Sequence, residues 1–462
     1  MLRPVAPRLP GVRLKASRVN TLPQFVSERR RARCERETRM KEPRVALRIL
    51  AAVLTALLLT ALAGCRPDGV WSGDSSRLAL VVRGQLLTYE VKTGAFRKFP
   101  QPGKQVFGQQ WSPNGRQIAF YRAVVAPKNE EVSALDVSVL DVASGKTRVI
   151  APKVSPPIEP KTEGGLNLNV TSRIDFLPHE STLCWKPDGR QLVFTNHDGK
   201  EPTPWIADLG GAAPRRLLPE GKVGHYPVWS PDGKWIAYHM SPPESRTDPN
   251  SEGPKDRPTT LEVVSVEGGE SRALWDITNK LRLAPMGPLP EWAPDSKSLS
   301  VIAAEEKQEG QPDPSERRCE LWKTALDGTP SRLAMVPGPF PFMDVRNGRI
   351  AYLFPDETGG PKQALPVQLL APPYESSRTI ATLTPATLSQ PKGKSMKADN
   401  LPIPSLSPDG KWVALPVVFE NGPAYLLLVS TESGKPVRRV TIPVPAPASS
   451  VKPAPRRRKT NG

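Results

Sequence analysis

The chain has 462 residues, with 64 Lys or Arg against 46 Asp or Glu and a formal net charge of +18. That charge sits at the ends: residues 1–64 hold 14 Lys or Arg against 4 Glu, and five more bases follow Pro445. The middle is left at about +3, so the high charge is no argument for nucleic-acid binding, which needs a basic face on the folded domain, and no nucleic-acid partner is expected. Only four cysteines are present, and no paired spacing among them suits a zinc site.

In chain order, residues 1–39 come first. They are Arg-rich (Arg29, Arg30, Arg31, Arg33, Arg36, Arg39) and lack an apolar period. A true start at Met40, with a misassigned or disordered extension before it, is the simplest reading; a cytoplasmic basic arm is the other. Met40 to Arg48 is a short basic region, and Ile49–Ala63 is an apolar stretch ending in Leu62, Ala63, Gly64 and Cys65. The stretch is shorter than the ~20 apolar residues that a spanning helix needs, and small residues precede the cleavage point as export signals require. Residues 40–64 therefore resemble a bacterial lipoprotein signal peptide, with Leu62, Ala63 and Gly64 as its lipobox. The resemblance implies a lipid on Cys65 and a place in the bacterial cell envelope, on the periplasmic face or the cell surface. A transmembrane anchor is the alternative. Arg66 stands where an Asp would argue for inner-membrane retention in enterobacteria, which favours the outer membrane.

A repeated cassette dominates residues 65–444. Its fullest copy is WSPDGKWIAY, Trp229 to Tyr238, and others begin at Trp71, Trp111, Trp185, Trp292 and Leu406. A degraded copy, Asn347 to Tyr352, fills the widest gap. Asp-Gly or Asn-Gly between apolar runs predicts a hairpin with a type I′ turn, whose two central residues both need positive φ. Asn114-Gly115, Asp188-Gly189, Asp232-Gly233 and Asp409-Gly410 supply it. A second unit follows each cassette: an apolar strand, a polar turn, then a basic and apolar strand. Examples are Gln85–Phe99, Val137–Ile150, Leu261–Leu274 and Tyr425–Ile442. Two hairpins per repeat make a four-stranded blade, and seven repeats predict an all-β, seven-bladed β-propeller. Six or eight blades are the other counts considered. The inner strand of blade one comes either from Arg66–Val70 or from the C-terminal end of the chain.

The W-S-P-D-G-K-x-I-A-F/Y cassette resembles the repeat of TolB-type (WD40-like) propellers, also found in propeller domains of prolyl oligopeptidase relatives. The resemblance covers roughly residues 70–443, with seven repeats where TolB has six. It implies the fold, and it favours a non-enzymatic module that binds a protein or peptide.

Uneven repeat spacing marks inserted loops at Val154–Leu177, Ser241–Pro258, Glu305–Arg318 and Gln390–Pro404. They read either as solvated decoration or as a partner-recognition rim. The Pro/Ala/Ser-rich tail, 445–462, is expected to be disordered, serving solubility or touching anionic headgroups or an envelope polymer.

No G-x-S-x-G elbow, phosphate loop, H-E-x-x-H or EF-hand is present. Neither a catalytic residue nor a metal or other cofactor is expected. Of four histidines, His197 reads as a turn, while His179 and His225 precede cassettes and fall near the innermost strand. His179, His225 and Tyr226 are the candidate binding residues at the channel mouth. Certain propeller lyases acting on pectic oligosaccharides are similar, holding a divalent metal on channel-mouth histidines, and they define the alternative: a carbohydrate-active propeller. The cassette tryptophans are expected to pack between blades, and one of Trp205, Trp275 and Trp322 is a candidate for exposure. Cys184 and Cys319 lie on separate blades and are expected to be unbridged, buried thiols. The leading expectation is a monomeric, lipid-anchored envelope scaffold for a protein or peptide.

Overall fold

The computed structural model describes residues 69–444 except 102–103, 126–131, 155–181, 197–201, 242–259, 277–280, 284–288, 306–318, 337–341, 354–363, 385–401, 420–422 and 433–434. Residues 1–39, residues 40–64, expected to be a signal peptide, Cys65 and the tail 445–462 lie outside the described residues.

Seven antiparallel sheets form, each from one continuous stretch of chain. The first blade comprises Gly69–Trp71, Arg77–Val82, Gln85–Glu90 and Phe96–Phe99. The last comprises Ser405–Leu406, Trp412–Val418, Ala424–Ser430 and Arg438–Ile442. The five between them open at Lys104, Leu183, Val223, Leu281 and Phe342. The first strands of neighbouring blades touch one another and are therefore innermost. This is the expected seven-bladed propeller. In the fifth blade the inner strand is split into Leu281–Leu283 and Glu291–Trp292, both paired to Ser298–Glu305.

The ring closes without strand exchange. Blade one has its own inner strand at Gly69–Trp71, and Arg438–Ile442 pairs within blade seven. The two ends meet through side chains: the Trp71 indole N–H donates to the Ser405 carbonyl at 3.0 Å, and Arg83 donates to the Phe419 carbonyl at 2.9 Å.

The cassette turn departs from the expected type I′. In Ser112-Pro113-Asn114-Gly115, Gly115 N–H bonds the Ser112 carbonyl at 2.9 Å, and of the four only Gly115 has positive φ (65°). Proline at the second position, with its φ held near −65°, and glycine at the fourth are the signature of a type I turn. Ser75 and Ser296 take the left-handed position where glycine is missing, at φ 59° and 60°. Type I′ occurs instead in the degraded copy, where Asn347 and Gly348 are both positive (50° and 68°). The serine and acid lock the turn: Ser230 Oγ donates to Asp232 at 2.6 Å and accepts from Trp235 N–H at 2.9 Å. Ser72 and Asp74 repeat this, and the Ser72 hydroxyl holds the Asp74 carboxylate below its usual pKa.

Two sets of hydrogen bonds join the blades. Near the axis, the indole N–H groups of Trp71, Trp111, Trp185 and Trp292 reach the carbonyls of Ser405, Val70, Gln110 and Val228 in the preceding blade, at 3.0–3.2 Å. At the periphery, fourth-strand arginines reach forward. Arg97 donates to Val142 and Ala143, Arg148 to Leu209, Arg215 to Val266 and Arg438 to Val91. Apolar burial is distributed in the same way, as seven clusters each shared by two adjacent blades.

Antiparallel pairing sorts the connections onto two faces. The turns joining strands one to two and three to four share one face, and none exceeds seven residues. The connections from strand two to three, and from blade to blade, share the other. They include 18 residues after Ser241, 13 after Glu305, 31 after Ala151 and 21 after Leu383.

Trp111→Phe keeps the buried ring but leaves the Val70 carbonyl without its donor. It is expected to cost about 1–2 kcal/mol, read from urea unfolding. Trp229→Phe should cost less, because that indole bonds its own turn at Gly233.

Candidate functional site

The histidine and tyrosine singled out in the fourth blade lie together on its inner strand, Val223–Trp229, near the end that opens to the loop-bearing face. From Trp229↔Ile236 and Val228↔Ala237, a regular ladder would bring His225 opposite Met240. A bulge at Tyr226 and Pro227 shifts the register, so His225 pairs with His239 instead. Tyr226 takes the left-handed conformation to make the bulge, at φ 56°. The second blade has the same bulge between Phe107 and Gln110, with Gly108 at φ 64°. A bulky aromatic in that region stores about 1–3 kcal/mol of strain. Its ring is held edge-on to His239, centroids 5.4 Å apart, and 5.9 Å from His225. His225 is half-buried, while Tyr226 and His239 are buried.

Two predicted residues, His225 and Tyr226, are thus brought together, and they are joined by His239, which sequence reasoning left unassigned. His179 lies outside the described residues. No group of three or more His, Cys, Asp or Glu side chains converges as a metal site among the described residues.

Two acids emerge that the sequence did not mark. Glu291 and Asp344 occupy the inner-strand position just before the cassette tryptophan or its equivalent. The blades that follow them carry Val345 and Leu406 where tryptophan would stand, so no indole crosses these seams. The carboxylates cross instead: Asn347 N–H donates to Glu291 at 2.7 Å and Leu406 N–H to Asp344 at 2.8 Å. Burial raises the pKa of both groups, opposed by Arg346 nearby. At the seam between the third and fourth blades Cys184 plays this part, its sulfur accepting from Trp229 N–H at 3.3 Å. Burial pushes the Cys184 thiol up to about 11, which leaves it unreactive near neutrality. Cys184 is half-buried where full burial was expected, and Cys319 is buried; both are unbridged.

None of the off-cassette tryptophans considered for exposure is exposed. Trp275 and Trp322 pack on each other between the fourth and fifth blades, centroids 4.7 Å apart, and Trp205 packs between the second and third.

No protein-family model matches the chain, and no curated protein matches it. Many solved structures share its architecture. An oligogalacturonate lyase from Vibrio parahaemolyticus is 13% identical over 80% of this chain and 93% of its own, with a TM-score of 0.51. A putative TolB from Agrobacterium tumefaciens is 17% identical over 59% of this chain and 81% of its own, at 0.39. A puromycin-hydrolyzing peptidase of Mycobacterium tuberculosis is 15% identical over 82% of this chain and 53% of its own, at 0.45. At such identities the likeness is one of fold.

The raised Asp344 pKa has a consequence for stability. A carboxyl whose folded pKa exceeds its unfolded one contributes stability that is full at low pH and lost as pH rises through the folded value. Asp344→Asn keeps an acceptor for Leu406 N–H and removes the charge. Its melting temperature should exceed the wild type's at pH 8, with the difference shrinking towards pH 4.

Proposed function

We propose that this chain is a lipid-anchored scaffold of the bacterial cell envelope that binds a protein or peptide on its loop-bearing face. One observation carries the reading: every long insertion in the repeat falls in a connection on that face, while the opposite face keeps only short turns. A rigid ring that spends its length variation on one side has the layout of a binding platform. The resemblance of the cassette to the TolB repeat is consistent with it.

The same strand parity bears on orientation. Gly69 begins an inner strand and Ile442 ends an outer one, so the chain enters and leaves the propeller on the loop-bearing face. Cys65 is four residues ahead of Gly69, a reach of at most about 14 Å. A lipid on Cys65 would turn the loops towards the bilayer, with the basic tail leaving on the same side. Partners would then be proteins or peptides close to the membrane surface.

A second reading has its own observation, the juxtaposition of His225, Tyr226 and His239 at the loop-side mouth. It is a carbohydrate-active site. Cleavage of oligogalacturonate that is abolished by chelator and by His225→Ala would favour it over the scaffold.

Two measurements test the leading reading. Labelled palmitate should enter the full chain in a bacterial host and be absent from Cys65→Ser. Crosslinked pull-down from envelope extract should recover one envelope protein in near-stoichiometric amount. Replacing residues 243–257 and 307–317 with short Gly-Ser linkers should cut recovery at least tenfold. Unchanged recovery would overturn the assignment of the binding face.

A further inference from the structure

The third blade contains a group of polar atoms that the scaffold reading does not use. Its third strand, Thr203–Asp208, pairs with a two-residue fourth strand, Arg215–Arg216. Trp205 lies directly opposite Arg216, and Ile206 opposite Arg215. Alternation along the strand then fixes the faces. Ile206 and Arg215 point to the fourth blade, where Ile206 joins its apolar cluster and Arg215 bonds the Val266 carbonyl. Thr203, Trp205 and Arg216 point the other way, to the second blade, where Trp205 packs against the apolar cluster shared by the two blades.

On that face three buried polar atoms have no hydrogen-bond partner: Thr203 Oγ1, Trp205 Nε1 and Arg216 Nε. Thr203 is 2% exposed. Two of the three atoms can only donate, and the hydroxyl can donate as well. Trp205 and Arg216 stand directly opposite each other, and Thr203 is two residues along the same face of the strand. Buried donors are nearly always paired in folded proteins, so an orphan group of this kind calls for a missing acceptor. The arginine that the second blade sends towards this seam, Arg148, is already bonded to the Leu209 carbonyl at 2.8 Å. Arg216 is therefore the guanidinium on this face that blade-to-blade stitching leaves over. A guanidinium edge beside an indole N–H and a hydroxyl suits an oxyanion. The Nε–H and a terminal N–H can take two oxygens at once, and the charge favours an anion over a neutral carbonyl.

We propose that Thr203, Trp205 and Arg216 form a binding site for an oxyanion, a carboxylate or phosphate group, in the outer half of the seam between the second and third blades. The site is separate from the loop-face reading and stands or falls apart from it.

A ligand that binds only the folded state raises the melting temperature in a saturable way. The full chain would be melted in inorganic phosphate, in acetate and in chloride, at matched ionic strength. A saturable rise in phosphate identifies a phosphate group, and one in acetate identifies a carboxylate; either supports the site. Arg216→Met and Trp205→Phe should each abolish the rise, and Thr203→Val should weaken it at least threefold in midpoint concentration. Arg215→Met, on the opposite face, should lower the starting temperature yet keep the anion response. Circular dichroism confirms that each variant is folded, and should one lesion unfold the chain, the others still decide. Equal melting in all three salts would mean that water fills the site, and would overturn the proposal. So would an anion response that survives in both Arg216→Met and Trp205→Phe.

Discussion

What the ring depends on is the satisfaction of backbone carbonyls where one blade meets the next. Each blade satisfies its own ladder, but the ends of its inner and third strands present carbonyls to a neighbour across an apolar seam. Leaving such an acceptor buried and unpaired costs about 1–3 kcal/mol. The chain meets the demand with donors on long, flat side chains. Indole N–H groups reach backwards near the axis, and guanidinium groups reach forwards at the periphery. Each donor also covers apolar surface, so one residue fills the seam and bonds across it. Arg77 does both at once, bonding the Gly115 carbonyl and lying over the Trp111 ring at 4.7 Å.

This accounts for features that look unrelated in composition. The basic character of the fourth strands serves the ring itself at Arg97, Arg148, Arg215 and Arg438, each of which is spent on the next blade. The buried acids at Glu291 and Asp344 follow from the same requirement. Where the following blade lacks its tryptophan, a carboxylate from the preceding blade takes an N–H instead. The charge costs stability at neutral pH, yet an apolar side chain there would leave the seam without its bond. A ring held in this way is free to vary in its loops, since none of the stitches described lies in the long insertions.

Much of this is legible in the amino-acid sequence. Seven cassettes mean seven blades, because each hairpin cannot bury its faces alone. What escaped depends on relations between distant residues. Asp-Gly alone points to type I′, whereas Pro113, Pro187, Pro231 and Pro408 sit where a type I turn wants them. His239 was invisible because a single-residue bulge, made by a tyrosine in an unusual conformation, decides which histidine faces which. Glu291 and Asp344 look like ordinary polar positions until the next blade's missing tryptophan is seen. For Thr203, Trp205 and Arg216, strand pattern indicates a shared face, but only packing reveals that their donors lack acceptors.

The absence of strand exchange at the ring's closure has a topological consequence. Each blade is made of one continuous segment, and the junction between blades seven and one is stitched by an indole and an arginine, as are those between blades one and two and between two and three. The two chain exits are on adjacent blades and on the same side. The order of blades along the chain is therefore a matter of where in the ring the coding sequence places the ends. A cyclic permutant starting at the fourth blade, with the present ends joined, would contain the same seven seams and the same bonds. Loss or gain of a whole repeat, by contrast, would change the angle at every seam at once, so such a fold can drift in its starting point far more readily than in its number of blades.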